Sequence, residues 1–155
     1  MAFEIERRFL VQGEAWRTDV TTTRHLRQGY LAREDGVSVR VRVAGDAARL
    51  TIKGPGGLVR REFEYDIPAR DAEDMLALLC AGRSLRKTRH EVPLDGLVWE
   101  VDVFEGALAG LVVAEVELPA ADHPLRVPAW AGREITADPR YANAALASAT
   151  APPRG

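Results

Sequence analysis

The sequence predicts a mainly β protein of the α+β kind, an eight-stranded antiparallel β-barrel with a few peripheral helices. Three observations predict it. Eight segments alternate apolar with charged residues at the two-residue period of a strand, turn-forming clusters separate them, and only two segments carry helical signals. An open sheet packed on helices fits the same pattern and stays open at this point. The 155 residues suit one domain, taken as 1–148, with "ATAPPRG" (149–155) as a flexible tail.

In chain order, the strands are expected at Glu4–Val11, Arg24–Ala32, Val37–Ala44, Ala48–Lys53, Leu58–Ile67, Leu85–Val92, Leu97–Phe104 and Val112–Leu118. The separators "REDG", "AGDA", "GPGG", "PLDG" and "EGALAG" carry turn chemistry, and Asp35-Gly36 and Asp95-Gly96 read as hairpin turns, not sites. One helix is expected over 69–82, with acids in its first turn and Gly82 after its last apolar residue. A second is expected over 137–149, with Asp138 as N-cap and Pro139 at the first helical position.

Composition excludes several function classes. A net charge of −2 argues against general affinity for nucleic acid or an anionic membrane. No apolar run reaches membrane-spanning length, and the acidic "FEIE" stands where a secretory signal would carry basic residues, so the expected location is the cytoplasm. Cys80 is the only cysteine and lies in an apolar helical run, which makes it a small buried hydrophobe. His25, His90 and His123 have no mutual metal spacing, and Trp16, Trp99 and Trp130 read as core residues.

The strands differ from ordinary half-solvated strands in what fills their polar faces. "EIERR" puts Glu4, Glu6 and Arg8 on one face, "SVRVRV" does so with Arg40 and Arg42, and "WEVDVF" with Glu100 and Asp102. A solvated face mixes in Thr, Ser, Gln and Lys, whereas these carry Arg and Glu in nearly pure form. Turned inward, they bring together Arg8, Arg40, Arg42, Lys53, Arg60, Lys87 and Arg89 with Glu4, Glu6, Glu62, Glu64, Glu100, Asp102, Glu115 and Glu117. Burying so many charges costs more than pairing returns, so a wet or ligand-filled tunnel is the physical solution. Clustered Arg and Lys suit a polyanion with several phosphates, and clustered carboxylates suit a hard divalent cation, Mg²⁺ or Mn²⁺.

"EIERRFLV", "LRQGYL", "VRVR", "TIKGPGGLVRREFE", "RKTRH", "WEVDVF", "VVAEVEL" and "ITADPRYANAALA", in this order, resemble the CYTH superfamily, the triphosphate tunnel metalloenzymes. The nearest branch is that of small bacterial enzymes acting on inorganic triphosphate. The resemblance implies an eight-stranded tunnel that hydrolyses tripolyphosphate to pyrophosphate and phosphate with Mg²⁺ or Mn²⁺. It implies Glu4, Glu6, Glu115 and Glu117 as metal ligands, with Glu62 as a further candidate, and Glu64, Glu100 and Asp102 as ligands or groups orienting metal-bound water. The basic set would hold the triphosphate, with Lys87 nearest the reacting phosphoryl, Arg89 beside it and Tyr30 bordering the substrate. The catalytic candidates are Lys87, Arg89, Glu64 and Asp102. The family's Glu-x-Glu-x-Lys signature falls on Glu4, Glu6 and Arg8, so Arg8 departs from it. A class IV-type adenylyl cyclase, a thiamine or nucleoside triphosphatase and a non-catalytic polyphosphate-binding module are the alternatives. The expected partner is a small-molecule triphosphate, and the resemblance admits a homodimer.

Overall fold

The computed structural model describes residues 2–155; Met1, the first residue of the expected domain, lies outside the described residues. The strands are β1 (Ala2–Val11), β2 (Thr22–Glu34), β3 (Val37–Ala44), β4 (Ala47–Lys53), β5 (Val59–Asp66), β6 (Ser84–Leu94), β7 (Leu97–Phe104), β8 (Val112–Glu117) and β9 (Ala131–Glu134). Helix α1 (Ala69–Leu79) follows β5, and α2 (Asn143–Ala147) lies near the C-terminus. Pairing runs β5-β4-β3-β2-β6-β7-β8-β1, and β1 pairs with β5 to close the ring. That closure decides for the barrel over the open sheet. β1 makes it possible by changing partners along its length, with Ala2–Ile5 against β5 and Glu6–Leu10 against β8.

The hairpins follow their turn residues. Asp35 and Gly36 have φ of 51° and 79°, and Asp95 and Gly96 have 53° and 77°. Two successive left-handed residues match the right-handed twist of the flanking strands, and Asp-Gly supplies them at low cost.

Register fixes which side chains point inward. Arg8 stands opposite Glu115, Glu115 opposite Glu100, and Asp102 opposite Arg89. Around the other side, Gln28 stands opposite Arg42, Arg40 opposite Thr51, and Thr51 opposite Glu64. Directly opposed residues share a face, so the alternating charges form one continuous wall lining the tunnel.

The apolar core therefore lies mostly outside the barrel. Phe9, Trp99, Val101 and Val116 pack under the segment that carries Trp16. Trp99 meets Phe9 and Trp130 with ring centroids 5.5 Å apart in each case. Val41, Val43 and Ala48 receive α1 through Ala72 and Cys80. Gly29 permits this approach, because a Cβ there would stand 2.7 Å from the Cys80 Cβ. A third cluster plugs the barrel: Leu85, Phe104 and Val113 meet Ile135, Tyr141 and Leu146 of the C-terminal segment.

Two local expectations need correction. The helix expected over 137–149 is a 3₁₀ turn, Pro139–Tyr141, followed by α2, with Ala142 extended between them (φ −58°, ψ 138°). Asp138 does cap the turn, accepting from the Arg140 N–H, but the Tyr141 carbonyl accepts from the Arg8 guanidinium instead of continuing a helix. β9 lay outside the expected strands. Its four residues do not alternate, and pairing with the far end of β1 makes them a strand. The last residues contact the same region, with Arg140 Nη1 donating to the Arg154 carbonyl at 2.6 Å.

Candidate active site in the tunnel

A cavity of about 410 Å³ opens at one end of the tunnel. Of the residues singled out in the sequence, Glu4, Glu6, Arg8, Tyr30, Lys53 and Arg60 line it. Tyr30 also packs into the plug cluster, so it serves as both wall and core. Near the mouth Lys53 Nζ donates to Glu4 Oε1 at 2.7 Å and stands 3.8 Å from Glu62. Burial works against a charged Glu4, but Lys53 holds its pKa below the usual value. Glu62 feels Lys53 more weakly, and burial, then its hydrogen bond with Glu4, push it up to about 7. Arg60 donates to the Gly54 carbonyl at 3.0 Å, tying it to the glycine-rich β4–β5 loop.

Deeper in the tunnel the charges form a tight network. Asp102 is wholly buried and accepts from Arg89 Nε at 2.8 Å and Nη2 at 2.9 Å, with Lys87 Nζ at 2.7 Å. Glu115 accepts from Arg8 Nε at 3.2 Å and Arg89 Nη2 at 3.3 Å. Burial would raise both carboxyls, yet Arg89 and Lys87 hold Asp102 low, and Arg8 and Arg89 hold Glu115 well below the usual range. Lys87 has no exposed surface, and burial brings its ammonium down to about 8 despite Asp102. Lys87 does not line the cavity; it is enclosed within the barrel on the inward row of β6, beside the Phe104 ring.

Glu6 is weakly compensated, with Arg8 3.9 Å away. Burial, then the Glu115 and Glu4 charges, push it up to about 8. Glu117 stands opposite Glu6 at the exposed end of β8.

The third stretch of wall is basic. Arg42 Nε donates to Gln28 Oε1 at 2.8 Å, and burial, with Arg40 and Arg89 nearby, lowers its pKa to about 9. Arg40 Nη2 reaches Thr51 Oγ1 at 3.2 Å and lies 4.0 Å from Glu64, which is held by Thr51 and by Arg49 Nη1. Three buried side-chain atoms among the described residues lack a protein partner: Arg8 Nη2, Arg40 Nε and Gln28 Nε2. All three are hydrogen-bond donors, so the unmet need of this tunnel is for acceptors.

Asn143, Gln28, Thr51, Arg49 and Arg24 belong to this wall or touch it, and none was singled out in the sequence. Gln28 was accessible to period-two reasoning, since it shares a face with Tyr30. Arg24, which pairs with Glu91 and Glu100, was hidden because the apolar Leu26 follows it on the inward row. Asn143 had no local signal. It arrives on α2, which the plug brings against the tunnel.

Among the described residues, no group of three His, Cys, Asp or Glu side chains is arranged to hold a metal ion. The carboxylates nevertheless suit Mg²⁺ or Mn²⁺. They are hard oxygen donors on adjoining strands, and Mg²⁺ commonly binds through one or two carboxylates plus substrate phosphates, not an all-protein cage. Glu6, crowded by Glu4 and Glu115, is a donor that a cation would relieve.

A closed antiparallel barrel with acids and bases paired along its inner wall defines a class of tunnel proteins, and comparison with known proteins places the chain within it. The CYTH domain model matches residues 2–147, and the chain belongs to that family. It is 43% identical over 147 residues to an inorganic triphosphatase of Acetivibrio thermocellus, covering 94% of each chain. It is 41% identical over 152 residues to an inorganic triphosphatase of Nitrosomonas europaea, covering 93% of this chain and 96% of the relative. The crystal structure of the inorganic triphosphatase NE1496 superposes with a TM-score of 0.71 at 37% identity, covering 97% of this chain and 98% of that one.

Proposed function

We propose that this protein hydrolyses inorganic tripolyphosphate to pyrophosphate and phosphate inside the tunnel, with Mg²⁺ or Mn²⁺ as cofactor. The three unpartnered buried donors carry the proposal. A linear triphosphate is rich in acceptor oxygens, the partners that Arg8, which lines the cavity, and the more deeply buried Arg40 and Gln28 lack. The similarity to two inorganic triphosphatases supports the same substrate class.

Arg40, Arg42, Lys53 and Arg60 are the groups to bind and align the chain of phosphates, with Arg8 and Arg89 at its inner end. Glu4, Glu6, Glu115 and Glu117, with Glu62, would hold the divalent cation. When bound, that cation neutralises phosphate oxygens and acidifies a coordinated water. In the reaction, a water oxygen bonds to a terminal phosphorus, the bridging P–O bond breaks, the water's proton passes to the leaving oxygen or to solvent, and pyrophosphate leaves with its charge met by Arg and Lys. Lys87, with its ammonium lowered to about 8, can release or accept a proton near neutral pH. Glu64 and Asp102 would orient the water and the basic groups.

The test is a panel. Tripolyphosphate, ATP and thiamine triphosphate are each incubated with enzyme and Mg²⁺ or Mn²⁺, and phosphate release is followed. Tripolyphosphate should be the preferred substrate, and Glu4→Gln should lower metal-dependent turnover at least about 100-fold while the protein remains folded. Cyclic AMP from ATP would assign a cyclase instead, and metal-independent binding without product would assign a polyphosphate-binding module.

A further inference from the structure

Lys87 is enclosed within the barrel and does not line the cavity, whereas Asn143 lines it and touches Lys87. The Asn143 carboxamide stands between two members of the deep network. Its Oδ1 accepts from Lys87 Nζ at 3.3 Å, and its Nδ2 donates to Glu115 Oε1 at 3.5 Å. Turning the amide over would set an NH₂ against an ammonium and an oxygen against a carboxylate, so both partners fix its orientation. Arg8, Lys87, Arg89, Asp102 and Glu115 all come from barrel strands, but Asn143 comes from α2. Two features hold α2 in place: Leu146 and Ala147 are buried in the plug, and the Arg8 guanidinium grips the Tyr141 carbonyl just before it.

We propose that Asn143 is a positioning residue for the hydrolytic reaction, which makes the C-terminal plug part of the active site. It holds the Lys87 ammonium toward the cavity and keeps the Glu115 carboxylate turned to meet it. The inference rests on the tripolyphosphatase reading above. Without Asn143, Lys87 is left to Asp102, 2.7 Å away and wholly buried, which draws the ammonium from the cavity. Asn143 is the cavity-lining member of this trio and sets how Lys87 and Glu115 lie behind it, so its loss falls on the rate more than on binding.

The experiment compares wild type with Asn143→Ala and the near-isosteric Asn143→Asp. It measures steady-state phosphate release from tripolyphosphate with Mg²⁺, calorimetric binding of tripolyphosphate without metal, and thermal melting. For Asn143→Ala, kcat should fall about 10- to 100-fold while KM and calorimetric affinity stay within about threefold. Asn143→Asp keeps the side-chain volume and the acceptor for Lys87 but sets a like charge against Glu115, so it should lose kcat at temperatures well below its own melting point, where it is folded. This second variant decides the matter if the alanine variant does not fold. A kcat within about twofold of wild type in the variants, or kcat and affinity falling together in step with melting temperature, overturns the inference alone. A wild-type protein that fails to hydrolyse tripolyphosphate overturns the functional reading as well.

Discussion

Arg8 illustrates how much one side chain does in this molecule. Its Nε bonds Glu115, one terminal nitrogen holds the Tyr141 carbonyl, and the other is buried without a protein partner. A lysine has a single compact ammonium and cannot span both contacts while keeping a further donor free. Arg8→Lys should therefore keep phosphate binding but loosen the plug, lowering stability by about 1–2 kcal/mol and Tm by about 3–8 °C. Unchanged melting would show that the Tyr141 contact contributes nothing. Glu6 gives a pH-dependent prediction. Its folded-state pKa is raised to about 8, so between its unfolded value and that point the folded protein holds a proton the unfolded chain releases. Stability of the metal-free protein should then fall as pH rises from about 5 to 8, and Glu62, raised to about 7, acts in the same direction. The expected loss is about 1–3 kcal/mol, less than the full shift implies because water reaches the tunnel. Glu115 and Asp102 act oppositely, losing their stabilisation only as pH falls through the low values at which they protonate. Melting scans of metal-free protein at about pH 5.5 and pH 8 check this, and a higher Tm at pH 8 would contradict it. At this scale the charged candidates were legible because period-two alternation exposes them. Gln28, Thr51 and Asn143 are neutral, and a search for charge passes over them.

Among the elements, the C-terminal plug links fold to site. Leu146 is 1% exposed and packs with Tyr141, Phe104 and Leu85, so Leu146→Ala should cost about 2–4 kcal/mol. Because α2 carries Asn143 into the tunnel, the same change should also lower turnover, and thermal melts with phosphate-release assays measure both. Full turnover in a destabilised variant would separate plug from site. The barrel strands were readable because most of them set an apolar face against a charged one, and two of the hairpins carry Asp-Gly turns. The broken second helix was not readable, because its interruption depends on Arg8, more than 130 residues away in sequence, capturing the Tyr141 carbonyl. β9 was hidden for a similar reason, since its existence depends on the length of β1 and not on its own residues.

At the scale of the whole molecule, the barrel is inside out relative to an ordinary globular core. Apolar residues pack on its outer surface, and the charges face one another within. Such an interior is stable only because nearly every carboxylate has a cation within reach, and the few unmatched groups mark what the tunnel is built to receive. The unmatched donors on Arg8, Arg40 and Gln28 call for an anion with many oxygens, and the crowded Glu6 calls for a cation. A metal–triphosphate complex meets both needs at once. The most direct measurement follows tripolyphosphate by phosphorus NMR in the presence of the protein, with Mg²⁺ and again with excess chelator. Tripolyphosphate signals should give way to pyrophosphate and phosphate in equal amounts with Mg²⁺, and persist with chelator. Tripolyphosphate left intact at micromolar protein with Mg²⁺ or Mn²⁺, or cleaved equally well in chelator, would contradict it.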